Sequence, residues 1–485
     1  MSFSLGEMFK TRAAWACFIV LFGLQAMVAC KSDKEVISYY DCGTWENWEN
    51  AREAHCGFIE VPEDHDKPMG KSIKVAFAIF PSRNKNPDTA PVLILSAGPG
   101  GSLSSPNRWI NHESRNVGDL IVVEQRGIGR SAPLPDISET FIDIMAADAS
   151  SEEEKQITLK AMQEKVAEIR AKGIDLSKYN STQSAKDMGA LMDALPYEKY
   201  NLYGTSYGTK LGIMTMKYFS PKVRAAILDG PAILNNTALE SRFPDLIRAF
   251  NKLYESCASD STCKNDHPDL RGETIQAIQS LRDNPITVRL LDRDFTLNPQ
   301  DAVFFIRYLF YRSDAFYTAP RFVKAINERD TLTIQELGEF PAKLLKGANA
   351  SAFFSYTTYE EYSESTPSNV QAFMNSNPEL AEGVAWFQAF IPALVQWHDG
   401  RVSQEENKFE NISVPTLIIT NDADPVTPPH NTQLFEDALL NERVLRLNRF
   451  GHGAGGKCIA QIRTSFLLDP SKPLDTFCLE KDDRK

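Results

Sequence analysis

The chain has 485 residues, 42% of them hydrophobic and 24% charged, with a formal net charge of −12. That length and apolar content can fill a large core, which excludes wholesale disorder. The acidic balance, with no long basic run, argues against nucleic acid as a partner.

Lys10 and Arg12 precede an apolar run from Ala13 to Ala29, which ends in Met27-Val28-Ala29-Cys30. A positive segment, an apolar stretch and a small residue before a cut describe an export signal. The Cys after the small residue resembles a bacterial lipoprotein signal, with Met27 where Leu is usual, and implies a membrane attachment through a lipid on Cys30. Plain secretion and an uncleaved anchor are the alternatives, and all three place the body outside the cytoplasm, in the periplasm, the cell envelope or the medium. The expected division is a signal at 1–29 and a polar tether at 30–38. Beyond Cys17 and Cys30, six cysteines remain: Cys42, Cys56, Cys257, Cys263, Cys458 and Cys478. An even number in an exported chain points to disulfides, for which six cysteines allow fifteen pairings. Nearest-neighbour pairing gives 42–56, 257–263 and 458–478. With no C-x-x-C pair or adjacent His cluster, neither a metal nor a cofactor is expected.

Ile73 to Phe80 alternates as a strand does, and Pro91 to Leu95 is a short apolar run bounded by turn residues, hence a buried strand. It empties into Ser96-Ala97-Gly98-Pro99-Gly100-Gly101, a turn whose glycines let backbone amides approach a ligand. Leu120 to Val123 is the next buried strand, followed by Glu124-Gln125-Arg126-Gly127-Ile128-Gly129-Arg130-Ser131, whose glycine spacing is wrong for a dinucleotide site. Helices are expected over 150–172, with a Ser cap and an acidic first turn, and over 181–195, with one apolar side.

Tyr200 to Thr209 then reads as a strand running through Gly204-Thr205-Ser206-Tyr207-Gly208 into a helix. An abrupt strand-to-helix turn pushes the central Ser206 side chain out of the sheet. The amide of Tyr207, at the helix start, would point at an oxygen developing negative charge. A further strand covers Ala225 to Leu228. From 232 to 404 strand-like runs largely vanish and amphipathic patterns rich in Phe and Tyr take over, such as Val303 to Tyr311. This reads as a mainly helical cap inserted between core halves at 39–231 and 405–485. Strands resume at Val414–Thr420 and Val444–Leu447. Alternating strands and helices imply an α/β fold with a mostly parallel sheet covered on both faces. Its ligands bind beyond the carboxyl ends of the strands.

A serine hydroxyl needs a base to become a nucleophile, usually a His held by a carboxylate, in the order Ser, acid, His for this fold class. Two loops at strand ends supply them: Asn421-Asp422-Ala423-Asp424-Pro425 and Gly451-His452-Gly453. Of the seven His, only His430 and His452 follow Asp424, and His430 is too near it to turn back. Asp422 is the rival acid, with a turn or cap as its plainer role.

These residues resemble the α/β-hydrolase superfamily and, within it, the prolyl and tripeptidyl aminopeptidases. The 96–101 turn is similar to the family's His-Gly-Gly-Pro-Gly, and 124–131 to its Asp-Gln-Arg-Gly-x-Gly-x-Ser; the departures are Ser96, Ala97 and Glu124. Cys56-Gly57 leading to Val61-Pro62-Glu63-Asp64, and the positions of Cys257, Cys263, Cys458 and Cys478, resemble the secreted tripeptidyl-type members. The resemblance implies Ser206 as nucleophile, Asp424 as orienter, His452 as base then acid, and the amides of Gly98 and Tyr207 as oxyanion hole. It implies carboxylates in the cap that hold a substrate's N-terminal ammonium, for which Glu360 and Glu361 are the candidates. Their plainer role is a solvated helix face. Trp386, Phe387, Phe390 and Trp397 would pack the cap's own core or line its pocket. The expected activity is an exported serine aminopeptidase that releases N-terminal residues or short peptides, those containing proline preferred. An esterase or amidase on small non-peptide substrates, or a binding protein on the same scaffold, would share most of these features.

Overall fold

The computed structural model describes residues 36–480 apart from 46–47, 49–50, 85–88, 103–105, 236–237, 379 and 382–384, with backbone alone at 151 and 385–390. The export signal and Cys30 lie outside the described residues. The chain runs through β1 (Ile37–Tyr40), β2 (His55–Pro62), β3 (Ser72–Phe80), β4 (Val92–Leu95) and β5 (Leu120–Val123). Helices α1 (Ser138–Ala146), α2 (Ser151–Ala171) and α3 (Ser181–Ala194) follow, then β6 (Tyr200–Thr205), α4 (Tyr207–Phe219) and β7 (Val223–Asp229). The next stretch carries α5 (Ala238–Ser259), α6 (Leu270–Asp283), β8 (Ile286–Leu290), β9 (Arg293–Leu297), α7 (Pro299–Leu309), α8 (Ala315–Glu328), α9 (Thr331–Lys346), α10 (Ala350–Glu360), α11 (Thr366–Ser376) and α12 (Ala385–Trp397). The chain closes with β10 (Thr416–Asn421), β11 (Glu442–Leu447) and α13 (Lys457–Leu468).

One nine-stranded sheet has the order β1-β2-β3-β5-β4-β6-β7-β10-β11. Strands β1 to β3 pair antiparallel at one edge, and β5 through β11 are parallel. The chain moves from β4 outward to β5 and then back across to β6, so strand order reverses beside β4. A crevice opens at such a reversal, beyond the carboxyl ends of the strands. The four residues of β4 are all buried, and Leu93 sits between Ile121 and Leu202 in register. Alternate residues feed two apolar layers. Leu202, Ala226, Leu228 and Ile418 face the layer that holds α3 and α4, while Tyr203, Ile227, Leu417 and Ile419 face the layer that holds α13. Each fully buried Leu or Ile is worth about 1.5–3 kcal/mol.

Local signals explain the helix ends. Ser150 and Glu153 form a reciprocal capping box at α2, and Asn180 caps α3 by accepting from the Gln183 amide. Two differences from the sequence reading stand out. The tether assigned to 30–38 ends early, because Ile37 and Ser38 already pair with Ile59 and Phe58 in the sheet. The insertion also carries a hairpin, β8–β9, paired Leu290 to Arg293. Its turn residues Leu291 and Asp292 both have positive φ, 50° and 62°. That turn geometry suits the twist of two strands but favours Asn-Gly, so Leu-Asp hid it.

All three nearest-neighbour disulfides are present: Cys42–Cys56, Cys257–Cys263 and Cys458–Cys478. Trp397 is fully buried and its indole donates to Ser355 at 2.8 Å, so it packs the insertion. The side chains of Trp386, Phe387 and Phe390 lie outside the described residues. No helix among the described residues is long and apolar enough to cross a membrane.

Candidate active site

Ser206 sits at the junction of β6 and α4 with φ 57° and ψ −126°, a conformation that only the surrounding structure can enforce. Its amide donates to the Asp229 carbonyl at 2.8 Å, and its carbonyl accepts from both the amide and the hydroxyl of Thr209. The turn is tight enough to demand its glycines. A Cβ on Gly204 would lie 2.1 Å from the Gly208 carbonyl oxygen, and one on Gly208 would lie 2.3 Å from that of Leu95. The second contact brings the end of β4, and so the 96–101 turn, against the first turn of α4.

The Ser206 side chain is buried, does not cap α4, and makes no hydrogen bond among the described residues. The amide of Tyr207 opens α4 and so has no acceptor within the helix. Below it the Tyr207 hydroxyl is held 2.5 Å from Ser181 Oγ and accepts from Gln125 at 3.3 Å. Burial and then the nearby Glu360 charge push that phenol well above its usual value, so it stays neutral.

His452 follows β11. Its Nδ1 lies 2.8 Å from Asp424 Oδ2, and its side chain is only 7% exposed. That contact puts the proton on Nδ1 and the lone pair on Nε2. Asp424 is fully buried and accepts from the Val426 and Thr427 amides at 2.8 and 2.9 Å and from the Thr427 hydroxyl at 2.8 Å. Burial pushes its carboxyl up, but the His452 charge and these hydrogen bonds outweigh it and hold the group below the ordinary carboxylate value. Asp422, the rival acid, pairs instead with Arg446 at 2.6 Å. His430 lies 3.4 Å from Asp245 instead.

Several residues that sequence reasoning passed over hold the His452 loop. Asn421 Nδ2 donates to the Gly451 and Gly453 carbonyls at 2.9 and 2.8 Å. The Asp229 carboxylate, at the end of β7, accepts from the Ala454 amide at 2.9 Å and from Arg463 at 3.2 Å. Burial pushes Asp229 up to about 6 against the pull of Arg463 and that amide. Tyr311, from the insertion, accepts from the His452 amide at 3.1 Å and sets its ring edge-on to the imidazole, centroids 4.7 Å apart. Gly453 packs against Thr205, the residue before Ser206, so imidazole and hydroxyl share one sheet edge. The Asp-Gly-Pro that ends β7 and the Asn that ends β10 were the available signals, since strand ends mark the ligand edge.

The expected ammonium anchors both have partners within the protein. Glu360 is 2% exposed and lies under α4. Its Oε1 accepts from the Ser181 amide at 2.5 Å, and its Oε2 from Ser181 Oγ at 2.9 Å with Lys210 Nζ at 3.0 Å. Both oxygens are spent on the protein, because a buried charge needs such partners. Glu361 pairs with Arg242 at 2.5 Å. The 124–131 segment is likewise structural: Arg126, fully buried, forms a bidentate pair with Asp187 at 2.6 and 2.7 Å, and Glu124 accepts from the Arg130 amide at 2.6 Å. No cluster of metal-binding side chains occurs among the described residues.

Comparison with known proteins places this geometry. The sequence model of the alpha/beta hydrolase fold matches residues 90–267, and that of a TAP-like protein matches residues 387–478. The tripeptidyl aminopeptidase of Streptomyces lividans is 30% identical over 216 residues, 42% of this chain and 40% of that protein. The serine protease Hip1 of Mycobacterium tuberculosis is 27% identical over 232 residues, 43% of this chain and 42% of that protein. The matched part is thus about two fifths of each relative's length. Among solved structures, an alpha/beta hydrolase from a Medee basin deep-sea metagenome aligns with 84% of this chain and 98% of its own, at 12% identity and a TM-score of 0.37. With a strand–Ser–helix elbow in the first matched segment and the His452 loop in the second, the chain has the α/β-hydrolase fold, and its C-terminal part is similar to a TAP-like protein.

Proposed function

We propose that the protein is a serine peptidase that cleaves residues or short peptides from free N-termini. The observation that carries the reading is the 2.8 Å contact of His452 Nδ1 with buried Asp424, on the sheet edge where Ser206 is held in a strained turn. In this mechanism Ser206 Oγ attacks the scissile carbonyl while His452 Nε2 takes its proton. Asp424 orients the ring and stabilises its charged form. The amides of Tyr207 and Gly98 receive the oxyanion, each worth about a hundred- to a thousand-fold in turnover. His452 returns the proton to the leaving amine, and a water repeats the sequence to release the acyl group. The hydrogen bond from Ser206 to His452 forms when substrate arrives, as is common in such sites.

The relatives' names support the peptidase reading. A fluorophosphonate probe should label the protein, and Ser206→Ala should abolish both labelling and turnover; labelling that survives the substitution would exclude Ser206 as nucleophile. Free and N-acetylated peptide p-nitroanilides then separate an aminopeptidase from other acyl hydrolases. Equal rates on both would remove the aminopeptidase assignment. One observation favours the second reading, an esterase or amidase: Glu360 and Glu361 are both engaged by cations of the protein itself.

Export belongs to the same proposal. Three disulfides support a body that folds in an oxidising compartment. Lipid on Cys30 would tether it to the membrane, which predicts palmitate incorporation that Cys30→Ser abolishes.

A further inference from the structure

A cavity of about 150 Å³ lies between α1 of the first core half and α5, α7, α9 and α10 of the insertion. Its walls are mostly apolar, including Phe141, Phe304 and Phe354, yet Arg307 and Thr357 also line it. Arg307 is 4% exposed and Thr357 is 1% exposed. Arg307 Nε and Thr357 Oγ1 are both buried without a hydrogen-bond partner in the protein. Among the described residues no carboxylate comes within 4.0 Å of the Arg307 guanidinium. The other arginine at the wall, Arg242, is already matched by Glu361 at 2.5 Å. The guanidinium lies over the Tyr308 ring, 5.3 Å from its centroid, but a buried cation with no carboxylate beside it is costly.

The cavity touches the candidate active site on two sides. Tyr308, in its wall, stacks on Tyr311 with centroids 5.0 Å apart, and Tyr311 meets the His452 ring. Ala348, also in its wall, bridges to Gly101 at the end of the 96–101 turn. A group held in the cavity would lie among phenylalanines and have a planar donor and a hydroxyl at the wall. A guanidinium recognises a carboxylate through parallel, charge-assisted hydrogen bonds. About 150 Å³ takes a group the size of benzene, and so a short aliphatic chain with its carboxylate.

We propose that this cavity is a substrate pocket that selects an apolar chain ending in a carboxylate, with Arg307 as its anchor and Thr357 as a second hydrogen-bond partner. Its role in turnover rests on the serine-hydrolase reading above; its binding chemistry does not. The carboxylate could come from an acidic side chain or from the C-terminus of a short peptide, and both present the same group to Arg307.

The first test is binding to the Ser206→Ala chain by calorimetry, with hexanoate against hexanamide. Hexanoate should bind at least tenfold more tightly, and Arg307→Met should bring that ratio to about one. Phe304→Trp, which fills the cavity, should abolish hexanoate binding without removing the arginine. A ratio near one in the chain with Arg307, or an unchanged ratio in Arg307→Met, overturns the proposal. A second measurement guards against a purely structural arginine. Removing a buried cation that has no carboxylate partner should leave the melting temperature equal or higher, whereas a fall of more than 10 °C would assign Arg307 to the fold. For turnover, Glu- against Gln-p-nitroanilide reads a side-chain source, and Ala-Ala-Ala against its C-terminal amide reads a C-terminal one; a preference for neither excludes the pocket from selection. Probe labelling absent with the hexanoate ratio intact would sink the hydrolase reading alone, and labelling present with a ratio of one would sink the pocket alone.

Discussion

At the scale of single residues, the two acids after β10 make opposite predictions. Asp424 is buried against His452, and Asp422 meets Arg446 at the surface. Asp424→Asn should lower kcat by about ten-thousand-fold through the wrong imidazole tautomer, while Asp422→Asn should leave kcat/KM within about twofold. Steady-state kinetics on any turned-over p-nitroanilide separates them. Asp245 predicts a pH effect. Burial pushes its carboxyl up to about 7, against the Arg248 charge. A folded-state value above the unfolded one stabilises fully below about pH 4, and that stability is lost as pH rises through about 7. The melting temperature of the parent should therefore fall relative to Asp245→Asn between pH 5 and pH 8; parallel curves would show the shift to be absent. What could be read from the chain at this scale was the chemistry of the loops: a Ser between close-packed glycines, an acid and a His at strand ends. The partners of Glu360 were not legible, because Lys210 and Ser181 come from separate helices and nothing in Tyr359-Glu360-Glu361 announces them. Asp229, Asn421 and Tyr311 were missed for the same reason, since each acts on a loop distant in sequence.

At the scale of elements, short buried strands and the abrupt β6–α4 turn were legible because their residues leave few alternatives: four apolar residues between turn formers cannot make a helix. The β8–β9 hairpin was not, because Leu291-Asp292 lacks the usual turn chemistry although both residues adopt it. The β6–α4 turn also predicts intolerance. Gly208→Ala places a methyl 2.3 Å from the Leu95 carbonyl, which must push the 96–101 turn away from Ser206. It should destabilise by about 1–3 kcal/mol and lower activity beyond that loss, measured by denaturant titration beside kinetics. The Cys458–Cys478 bridge ties α13, which follows the His452 loop, to the C-terminal turn. Its sequence separation of 20 corresponds to about 3 kcal/mol of stability. A Cys458→Ser, Cys478→Ser double variant should lose about that much, and intact-mass counting of free thiols in the unmodified protein should find none among the six.

At the scale of the whole molecule, the strand–helix alternation on both sides of the long insertion was enough to foresee one sheet completed by distant segments. The sheet bears this out, since β7 and β10 are hydrogen-bonded neighbours, with Ala226 opposite Thr416. The interior of the insertion was opaque, because helices packed on helices can be arranged in many ways that share one amphipathic pattern. The neighbouring placement of β7 and β10 has a use in engineering. Because the two strands are parallel, the chain leaves the sheet at the carboxyl end of β7 and re-enters it at the amino end of β10, so a foreign module spliced there must keep the return segment that runs back along the strand. Such a chimera would still have to supply a carbonyl in the place of Tyr311, or the imidazole loop would lose its tie on that side.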